Sequence, residues 1–514
     1  MLACSLHASC LIPRAQRSRV VRRVWCVVRV DSNHLLARQG CGSALFPGVW
    51  TMIRIFHHFI GVPVLVLSFV EALVLALSIP TGAVLRFQSE GLIVAHGLSL
   101  LGAGFAFVLV MQGIMASFGL YSSDAPVNSS ERIVRVLASF IGGLLVLSLV
   151  FYLVPEFEVG RGVFAIAWLL AMVGVFAVRS VFLRWRKVEA LSRHVLVVGT
   201  GKWAKPLDGL EGAPSGRQFR IVGFVPVPEI ESVVDPKRIL NLRSSLRDAV
   251  KDYRIDEIVI AVGDREGEKL PYQDLIECKL AGAEVTDLPT FYEREQGRLR
   301  IDWLSAGWLV FGEGFRSNRP DRIVRNVFDI AIGLLLLLCT FPIMLIAAFA
   351  IFFEDGGPIL YRQTRVGMSG KPFDILKFRS MRVDAEKNSQ PVWAQVGDQR
   401  VTRVGRIIRR LRIDELPQIF NVLHGEMSVV GPRPERPKFV EELLKLIPYY
   451  SVRHSVKPGI TGWAQVRYPY AASVKDAADK LEYDLYYVKN RSLFLDMLIG
   501  IETVGVVVWG NGVR

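Results

Sequence analysis

Two adjacent carboxylates, Asp414 and Glu415, stand in a strongly basic stretch, directly after Arg409, Arg410 and Arg412. Neighbouring anions need cations or a metal ion beside them, or one of them takes up a proton. An acidic pair among arginines suits phosphoryl transfer, because carboxylates hold Mg²⁺ or attack phosphorus while arginines neutralise phosphate oxygens. The same residues could form an exposed helix with ion pairs worth ~0.3–0.5 kcal/mol each. This motif alone does not decide between the two interpretations.

Three further segments carry residue types that bind phosphate. GPRPERP holds Arg433 between prolines that lock φ, and a rigid arginine suits a planar grip on phosphate. KFRSM places Lys377 and Arg379 directly after a strand-like stretch. KPGITGW contains Gly459 and Gly462, whose missing side chains let backbone approach a ligand closely. Each segment alone is more often an ordinary loop, but together they favour a site that handles phosphate.

The composition indicates a membrane protein with soluble parts, because 51% of the residues are hydrophobic. Glu71 interrupts the first apolar stretch and must face the interior of the helix bundle. The flank after the last stretch is strongly basic, so the positive-inside rule places the N-terminus and everything after Leu183 in the cytoplasm. Four stretches reach roughly the 20 residues that span a bilayer. They are residues 55–79, 91–120, 133–154 and 162–183, within a predicted membrane region of residues 52–190.

Residues 1–51 are rich in arginine and contain one acid, Asp31. They have neither the compact apolar core nor the cleavage site of a signal peptide. We expect translation to start at Met52, which makes residues 1–51 a non-native extension. The alternative is a disordered basic tail.

The net charge of +14 could favour nucleic acid, anionic lipid or phosphate-bearing substrates. Nucleic acid fits worst, because the basic residues flank apolar spans and no nucleic-acid motif is present. The six cysteines include no CxxC pair, which argues against a zinc site or a disulfide framework and fits a reduced compartment.

Residues 191–315 alternate short apolar strands with helical stretches, which predicts a Rossmann-like parallel α/β domain. The string GTGKWA, from Gly199 to Ala204, satisfies the dinucleotide fingerprint GxGxxA after a strand. The acid expected about 20 residues later is missing, and Lys202 and Trp203 are bulky for a close pyrophosphate. We therefore favour a structural or regulatory module, for example for contacts in a homo-oligomer, over NAD binding.

A fifth apolar run, residues 327–353, contains Pro342 and could span a membrane by length. One more crossing after four spans would carry Asp414 out of the cytoplasm. Pro342 removes a backbone donor and breaks or kinks a helix, and Thr340 could bond the freed carbonyls. We predict a membrane hairpin that enters and leaves on the same side.

The C-terminal part resembles the bacterial sugar transferase family, the monotopic polyprenyl-phosphate phosphoglycosyl transferases. The resemblance is carried by RNVFDI, PILYRQTRVG, FDILKFRSM, RIDELPQIFNVLHGEMSVVGPRPERP, KPGITGWAQV and LEYDLYYVKNRSLFLDM. The preceding spans and the α/β segment resemble the family's long form. The opening from Met52 is similar to the branch found at exopolysaccharide loci of exosortase-bearing bacteria.

The resemblance implies an enzyme of the bacterial inner membrane with a cytoplasmic catalytic domain, residues 316–514. Its nucleophile matches Asp414, which would attack a UDP-sugar, release UMP and pass the sugar phosphate to polyprenyl phosphate. Glu415 matches the partner carboxylate, and Mg²⁺ is the family's metal, held by these two residues. Matching basic positions, which would hold phosphates, are Lys377, Arg379, Arg412 and Arg433.

The predicted fold is thus a four-helix transmembrane bundle, a cytoplasmic Rossmann-like domain and a mixed α/β catalytic domain with a re-entrant hairpin. Two other functions are weighed against the transferase. A nucleotide-sugar-modifying oxidoreductase would need intact cofactor recognition in the central domain. A non-catalytic membrane scaffold for polysaccharide assembly would need neither the acidic pair nor the arginines around it. The sequence does not choose the sugar.

Overall fold

A computed structural model describes most of the chain from Met52 onward. The predicted extension, residues 1–51, lies outside the described residues, as do residues 91–96 of the second predicted apolar stretch. The described residues are 52–55, 58–87, 97–121, 129–155, 159–186, 192–208, 210, 219–242, 245–263, 270–304, 306–311, 314–315, 319–382, 400–468 and 473–509.

A short antiparallel hairpin precedes the apolar helices. Four helices within the described residues are long and apolar enough to cross a membrane. These are α1 (Val62–Phe87), α3 (Ser129–Leu153), α4 (Arg161–Arg186) and α10 (Arg319–Asp355), whereas α2 (Gly97–Ser117) is shorter. The predicted spans are therefore confirmed for the first, third and fourth stretches. Helix α1 packs on α2 and α4, and α2 packs on α3. The elements are β1 (Met52–Ile55), β2 (His58–Gly61), α1 (Val62–Phe87), α2 (Gly97–Ser117), α3 (Ser129–Leu153) and α4 (Arg161–Arg186).

Glu71 on α1 is fully buried, as the sequence predicted. Its Oε1 lies 2.7 Å from Nε of Arg179 on α4. The Tyr121 hydroxyl donates to Glu71 Oε2 over 2.6 Å, and the Arg179 guanidinium stacks over the Tyr121 ring. The charge of Glu71 is thus compensated inside the bundle, where an unpaired carboxylate would be expensive.

The central domain is a four-stranded parallel sheet in the order β4-β3-β5-β6 with helices between its strands, which confirms the predicted parallel α/β fold. The apolar side chains of β3 are fully buried, as are Ile258 and Val259 of β5, which is expected of a sheet covered on both faces. The elements are β3 (Arg193–Val198), α5 (Lys205–Asp208), β4 (Phe219–Val225), α6 (Leu246–Asp252), β5 (Glu257–Ile260), α7 (Tyr272–Leu280), β6 (Glu284–Asp287), α8 (Leu288–Gln296) and α9 (Ala306–Phe311).

The C-terminal part combines helices with an antiparallel pair, β7-β8, and a parallel pair, β9-β10. Its elements are α10 (Arg319–Asp355), β7 (Leu360–Val366), β8 (Pro372–Phe378), α11 (Arg403–Arg410), α12 (Gln418–Leu423), β9 (Ser428–Val430), α13 (Pro437–Leu446), β10 (Gly459–Thr461), α14 (Trp463–Arg467), α15 (Val474–Asn490) and α16 (Leu493–Trp509).

Helix α10 continues through Pro342 as one helical segment. The Thr340 hydroxyl donates to the carbonyl of Leu336 over 2.7 Å, not to that of Leu338, which Pro342 deprives of its helical donor. A re-entrant path would therefore require a bend inside this helix. Its exposed apolar residues, such as Leu338 and Phe353, suit contact with lipid.

The C-terminal part packs against residues from both earlier regions. Leu299 and Ile301, which follow α8 of the central domain, belong to the same hydrophobic core as Trp463. Trp463 Nε1 donates to the carbonyl of Gly297 over 2.7 Å. His58 on β2 is buried against Trp463, and burial together with the charge of Arg467 lowers its pKa to about 4, so a structural role is indicated.

The ion pair in the helix bundle gives the first prediction. Glu71→Gln leaves the Arg179 guanidinium without its counter-charge, and breaking a buried pair costs about 3–5 kcal/mol. We expect a lower midpoint of thermal unfolding in detergent, partly restored by the second change Arg179→Leu. Glu131→Gln removes a half-exposed pair with Arg135 and should shift the midpoint little. Equal shifts for the two glutamate variants would contradict the assigned role of Glu71.

Candidate active site around Asp414 and Glu415

The two carboxylates lie in a 3₁₀ turn, Ile413–Glu415, between α11 and α12. Arg412, at the start of the turn, has a φ of 59°, in the left-handed region that residues with a Cβ seldom adopt. Such strain is often found at functional sites. The turn therefore ends α11 abruptly and brings Glu415 into contact with β8 and the loop after β9.

Glu415 is held by three cations. Its Oε1 accepts from Arg433 over 2.8 Å and from Lys377 over 3.2 Å, and Arg412 lies 3.9 Å from its Oε2. Burial would raise the pKa of Glu415, but the charges of Arg433, Lys377 and Arg412 outweigh it and hold the pKa well below its usual range. Glu415 is therefore held as an anion near neutral pH, and its charge fixes these cations in place.

Asp414 is in a different state although it is the next residue. Among the described residues it has neither a hydrogen-bond nor an ion-pair partner. Burial and then the neighbouring Glu415 charge raise its pKa, against the opposing charges of Lys377 and Arg409. A more basic carboxylate is a better nucleophile, so the pair contains one anchored anion and one available for reaction.

Contacts between glycines fix the loop that carries Arg433. The Gly431 amide donates to the carbonyl of Thr461, and the Gly459 amide donates to that of Pro432. A Cβ on Gly459 would lie 2.0 Å from the Gly431 nitrogen, and one on Gly462 would lie 2.2 Å from the Gly431 oxygen. These glycines therefore let two loops touch each other. Gly459 also lines the pocket described next, so the expectation that these glycines let backbone approach a ligand closely stays a prediction.

A small pocket is lined by Lys377 and Arg433, the two cations that contact Glu415 Oε1, and Arg365 is a lining residue that sequence reasoning missed. Arg365 donates to Gln363 Oε1 and to the carbonyl of Pro434. Burial, together with the charges of Arg433 and Arg436 and against that of Glu435, lowers the pKa of Arg365 to about 10. Crowded cations of this kind suit an anion. The lining residues are Arg365, Ile375, Lys377, Gln418, Arg433, Pro434 and Gly459.

Of the predicted phosphate-binding residues, Lys377, Arg412 and Arg433 meet at Glu415, whereas Arg379 makes different contacts. Arg379 donates to the carbonyls of Asp355 and Gly356 over 3.0 and 2.7 Å. It thereby joins the end of α10 to β8. Its role toward phosphate stays a prediction.

The fingerprint loop in the central domain is filled by the chain itself. The Val233 amide donates to the carbonyl of Thr200 over 2.8 Å, and a Cβ on Gly201 would lie 2.9 Å from Ile230. Trp203 lies directly against Gly263, at 3.0 Å from the position of a Cβ there. A dinucleotide would have to displace this packing, which argues against a cofactor site here.

A model of the bacterial sugar transferase family matches residues 320–510. The chain is 30% identical over 401 residues to a UDP-glucose:undecaprenyl-phosphate glucose-1-phosphate transferase of Xanthomonas campestris pv. campestris, covering 76% of this chain and 82% of that protein.

A UDP-N-acetylgalactosamine-undecaprenyl-phosphate N-acetylgalactosaminephosphotransferase of Aeromonas hydrophila is 44% identical over 243 residues, 47% of this chain. A UDP-glucose:undecaprenyl-phosphate glucose-1-phosphate transferase of Klebsiella pneumoniae is 42% identical over 189 residues, 36% of this chain. The matches span 56% of the Aeromonas protein and 40% of the Klebsiella protein, less than two thirds of either.

The pocket gives the second prediction. Arg365→Gln should weaken binding of inorganic pyrophosphate roughly 10- to 150-fold, since a hydrogen bond to a charged group contributes about 1.5–3 kcal/mol. Calorimetric titration of the purified full chain in detergent measures this. Arg362 on the same strand is exposed, so Arg362→Gln is the matched control with an expected change below about 2-fold. Equal losses in both variants would point to general surface charge.

Proposed function

Because the chain belongs to the bacterial sugar transferase family, we propose that it moves a sugar 1-phosphate from a UDP-sugar onto undecaprenyl phosphate and releases UMP. The observation that carries the proposal is the contrast within the acidic pair. Glu415 is fixed by three cations, while Asp414 lies beside them with a raised pKa. This arrangement supplies both a nucleophile and charge for phosphate oxygens.

In the first step, a carboxylate oxygen of Asp414 attacks the β-phosphorus of the UDP-sugar. The bond from this phosphorus to the bridging oxygen breaks, and UMP leaves with that oxygen and the bond's electron pair. The sugar phosphate remains on Asp414 as an acyl phosphate. Arg433 and Lys377, which line the pocket, neutralise the phosphate oxygens during transfer.

In the second step, a phosphate oxygen of undecaprenyl phosphate attacks the same phosphorus. The bond to Asp414 breaks, its carboxylate is regenerated, and the product is a diphosphate-linked lipid sugar. Dividing the transfer in two lets one protected site serve a soluble and a lipid substrate. In the cell this reaction would begin exopolysaccharide synthesis.

Mg²⁺ is the metal that the family implies, and the donor chemistry fits it. Mg²⁺ is usually bound by one or two carboxylates together with water and substrate phosphates. Asp414 and Glu415 are carboxylates of this kind, and no group of three or more acidic, histidine or cysteine ligands occurs among the described residues. When bound, the ion would neutralise charge on the phosphate oxygens.

The alternatives receive less support. An oxidoreductase would need the fingerprint loop, which Ile230 and Val233 fill. A scaffold would not require three cations around Glu415.

We place the enzyme in the bacterial inner membrane with the central and catalytic domains, residues 191–315 and 316–514, in the cytoplasm, where UDP-sugars are made. A homo-oligomer formed through the central domain stays a prediction.

The third prediction tests the reaction. Membranes containing the chain, given undecaprenyl phosphate and a panel of UDP-sugars, should release UMP, because cleavage occurs within the pyrophosphate. Asp414→Asn keeps the shape and removes the nucleophilic charge, so the rate should fall by a factor of at least about 1,000. Asp302→Asn changes an exposed carboxylate of the same type and should leave the rate intact. Release of UDP instead of UMP would refute the proposal.

The fourth prediction tests the hairpin at residues 327–353. Single cysteines replace Asp321 and Ser369, on either side of α10, in a variant without native cysteines. Both should be protected from a membrane-impermeant thiol reagent in intact cells, because the predicted hairpin bends α10 in the membrane and returns it to the cytoplasmic side. A cysteine at Gly160, between α3 and α4, should be labelled and serves as the control. Labelling at position 369 but not at 321 would mean that α10 crosses the membrane.

A further inference from the structure

Arg433 is restrained at both its ends. Its guanidinium donates to Glu415 over 2.8 Å and to Gln465 Oε1 over 3.1 Å. Its backbone carbonyl accepts from Arg453 Nη2 over 2.9 Å. The prolines on either side stiffen the same loop. The contact with Arg453 therefore controls where the base of this side chain lies.

Arg453 is itself buried, and each of its three guanidinium nitrogens has a hydrogen-bond partner. Nε and Nη2 lie 3.0 and 2.8 Å from Asp484 Oδ2, and Nη1 donates to the Tyr450 hydroxyl over 2.7 Å. Arg453 is 6% exposed, Asp484 2% and Tyr450 3%. Such a buried cation persists only with a matched anion and satisfied donors.

The pair is costly if stability alone is considered. The free energy needed to remove two charges from water offsets most of the gain from their attraction. Apolar residues of the same volume often stabilise a fold equally well. What apolar residues cannot supply is a charged donor aimed at the carbonyl of Arg433. The distinctive contribution of the pair is therefore the placement of that carbonyl.

We propose that Asp484 and Arg453 are positioning residues, which act through the Arg433 backbone to set the position of its phosphate-binding guanidinium. The inference rests on the proposed function, because Arg433 is taken to grip the substrate's phosphate. Asp484 holds Arg453, Arg453 holds the loop, and Arg433 then bridges Glu415 and the ligand. A side chain on α15 thus influences a site that it does not touch.

A double-mutant cycle tests this. Asp484→Asn keeps the volume and removes the charge that orients Arg453, and a small misplacement in an active site can lower the rate by up to roughly 100-fold. We expect kcat/KM for UMP release to fall roughly 10- to 100-fold in the native chain. In an Arg433→Ala background the same change should cost less than about 2-fold, since residues acting through one another are not additive. Equal losses in both backgrounds would overturn the proposal.

Glu293→Gln is the matched control. It breaks a buried pair with Lys489, which lies on α15 as Asp484 does, with a separation of 2.5 Å. Glu293→Gln should change kcat/KM by the same factor in the native chain and in the Arg433→Ala background. Should Asp484→Asn fail to fold, Tyr450→Phe removes one of the hydrogen bonds of Arg453 without changing its volume much and should show the same pattern on a smaller scale.

A second cycle measures the binding of UDP by thermal shift, which requires no turnover. It uses the native chain, Asp484→Asn, Arg433→Ala and the double variant. The loss of affinity from Asp484→Asn should disappear when Arg433 is already alanine. If the native chain releases no UMP, the proposed function fails, and the UDP cycle still judges the positioning role. If UMP is released while both cycles are additive, the positioning role alone fails.

Discussion

Glu415 is a carboxylate with a side chain only 12% exposed, held by cations from three separate segments of the chain. Lys377 comes from β8, Arg433 from the loop after β9, and Arg412 from the turn itself. A buried carboxylate without partners would be protonated or would destabilise the fold by several kcal/mol. The need to compensate this one charge joins segments that are far apart in the sequence. The pocket exists where they meet.

The same constraint recurs wherever two regions of the chain join. Glu71 and Arg179 connect two apolar helices. Glu482 on α15 lies 3.3 Å from Arg298, which follows α8 of the central domain. Burial raises the pKa of Glu482 to about 7 despite the charge of Arg298. Paired ions of this kind contribute little net stability, but a wrong arrangement would leave a charge unpaired. They therefore specify one arrangement of the parts.

Much of this organisation could be predicted from the sequence, because apolar length and strand-helix alternation are local signals. Three of the four predicted spans and the parallel sheet follow from such signals. The meeting of Lys377 with Arg433 at Glu415 agrees with their assignment to one site, which came from residue type and family resemblance. Arg365 was missed because the same strand also contains Arg362, and residue type alone does not distinguish the two arginines. Only the register of β7 and β8, which is a tertiary property, turns Arg365 inward and leaves Arg362 exposed.

The roles of the glycines are a second feature that the sequence alone leaves open. Gly199 has a φ of 122° and a Cβ there would lie 2.4 Å from the carbonyl of Ala261, so close strand packing alone demands a glycine. Gly431, Gly459 and Gly462 are required by loop-to-loop contact in the same way. A glycine motif reports that something approaches the backbone closely, and the sequence does not say whether that is a ligand or the chain itself. In the central domain it is the chain. Beside Arg433 the chain contact of Gly431 and Gly459 fixes the segment that carries this cation of Glu415, while Gly459 also lines the pocket.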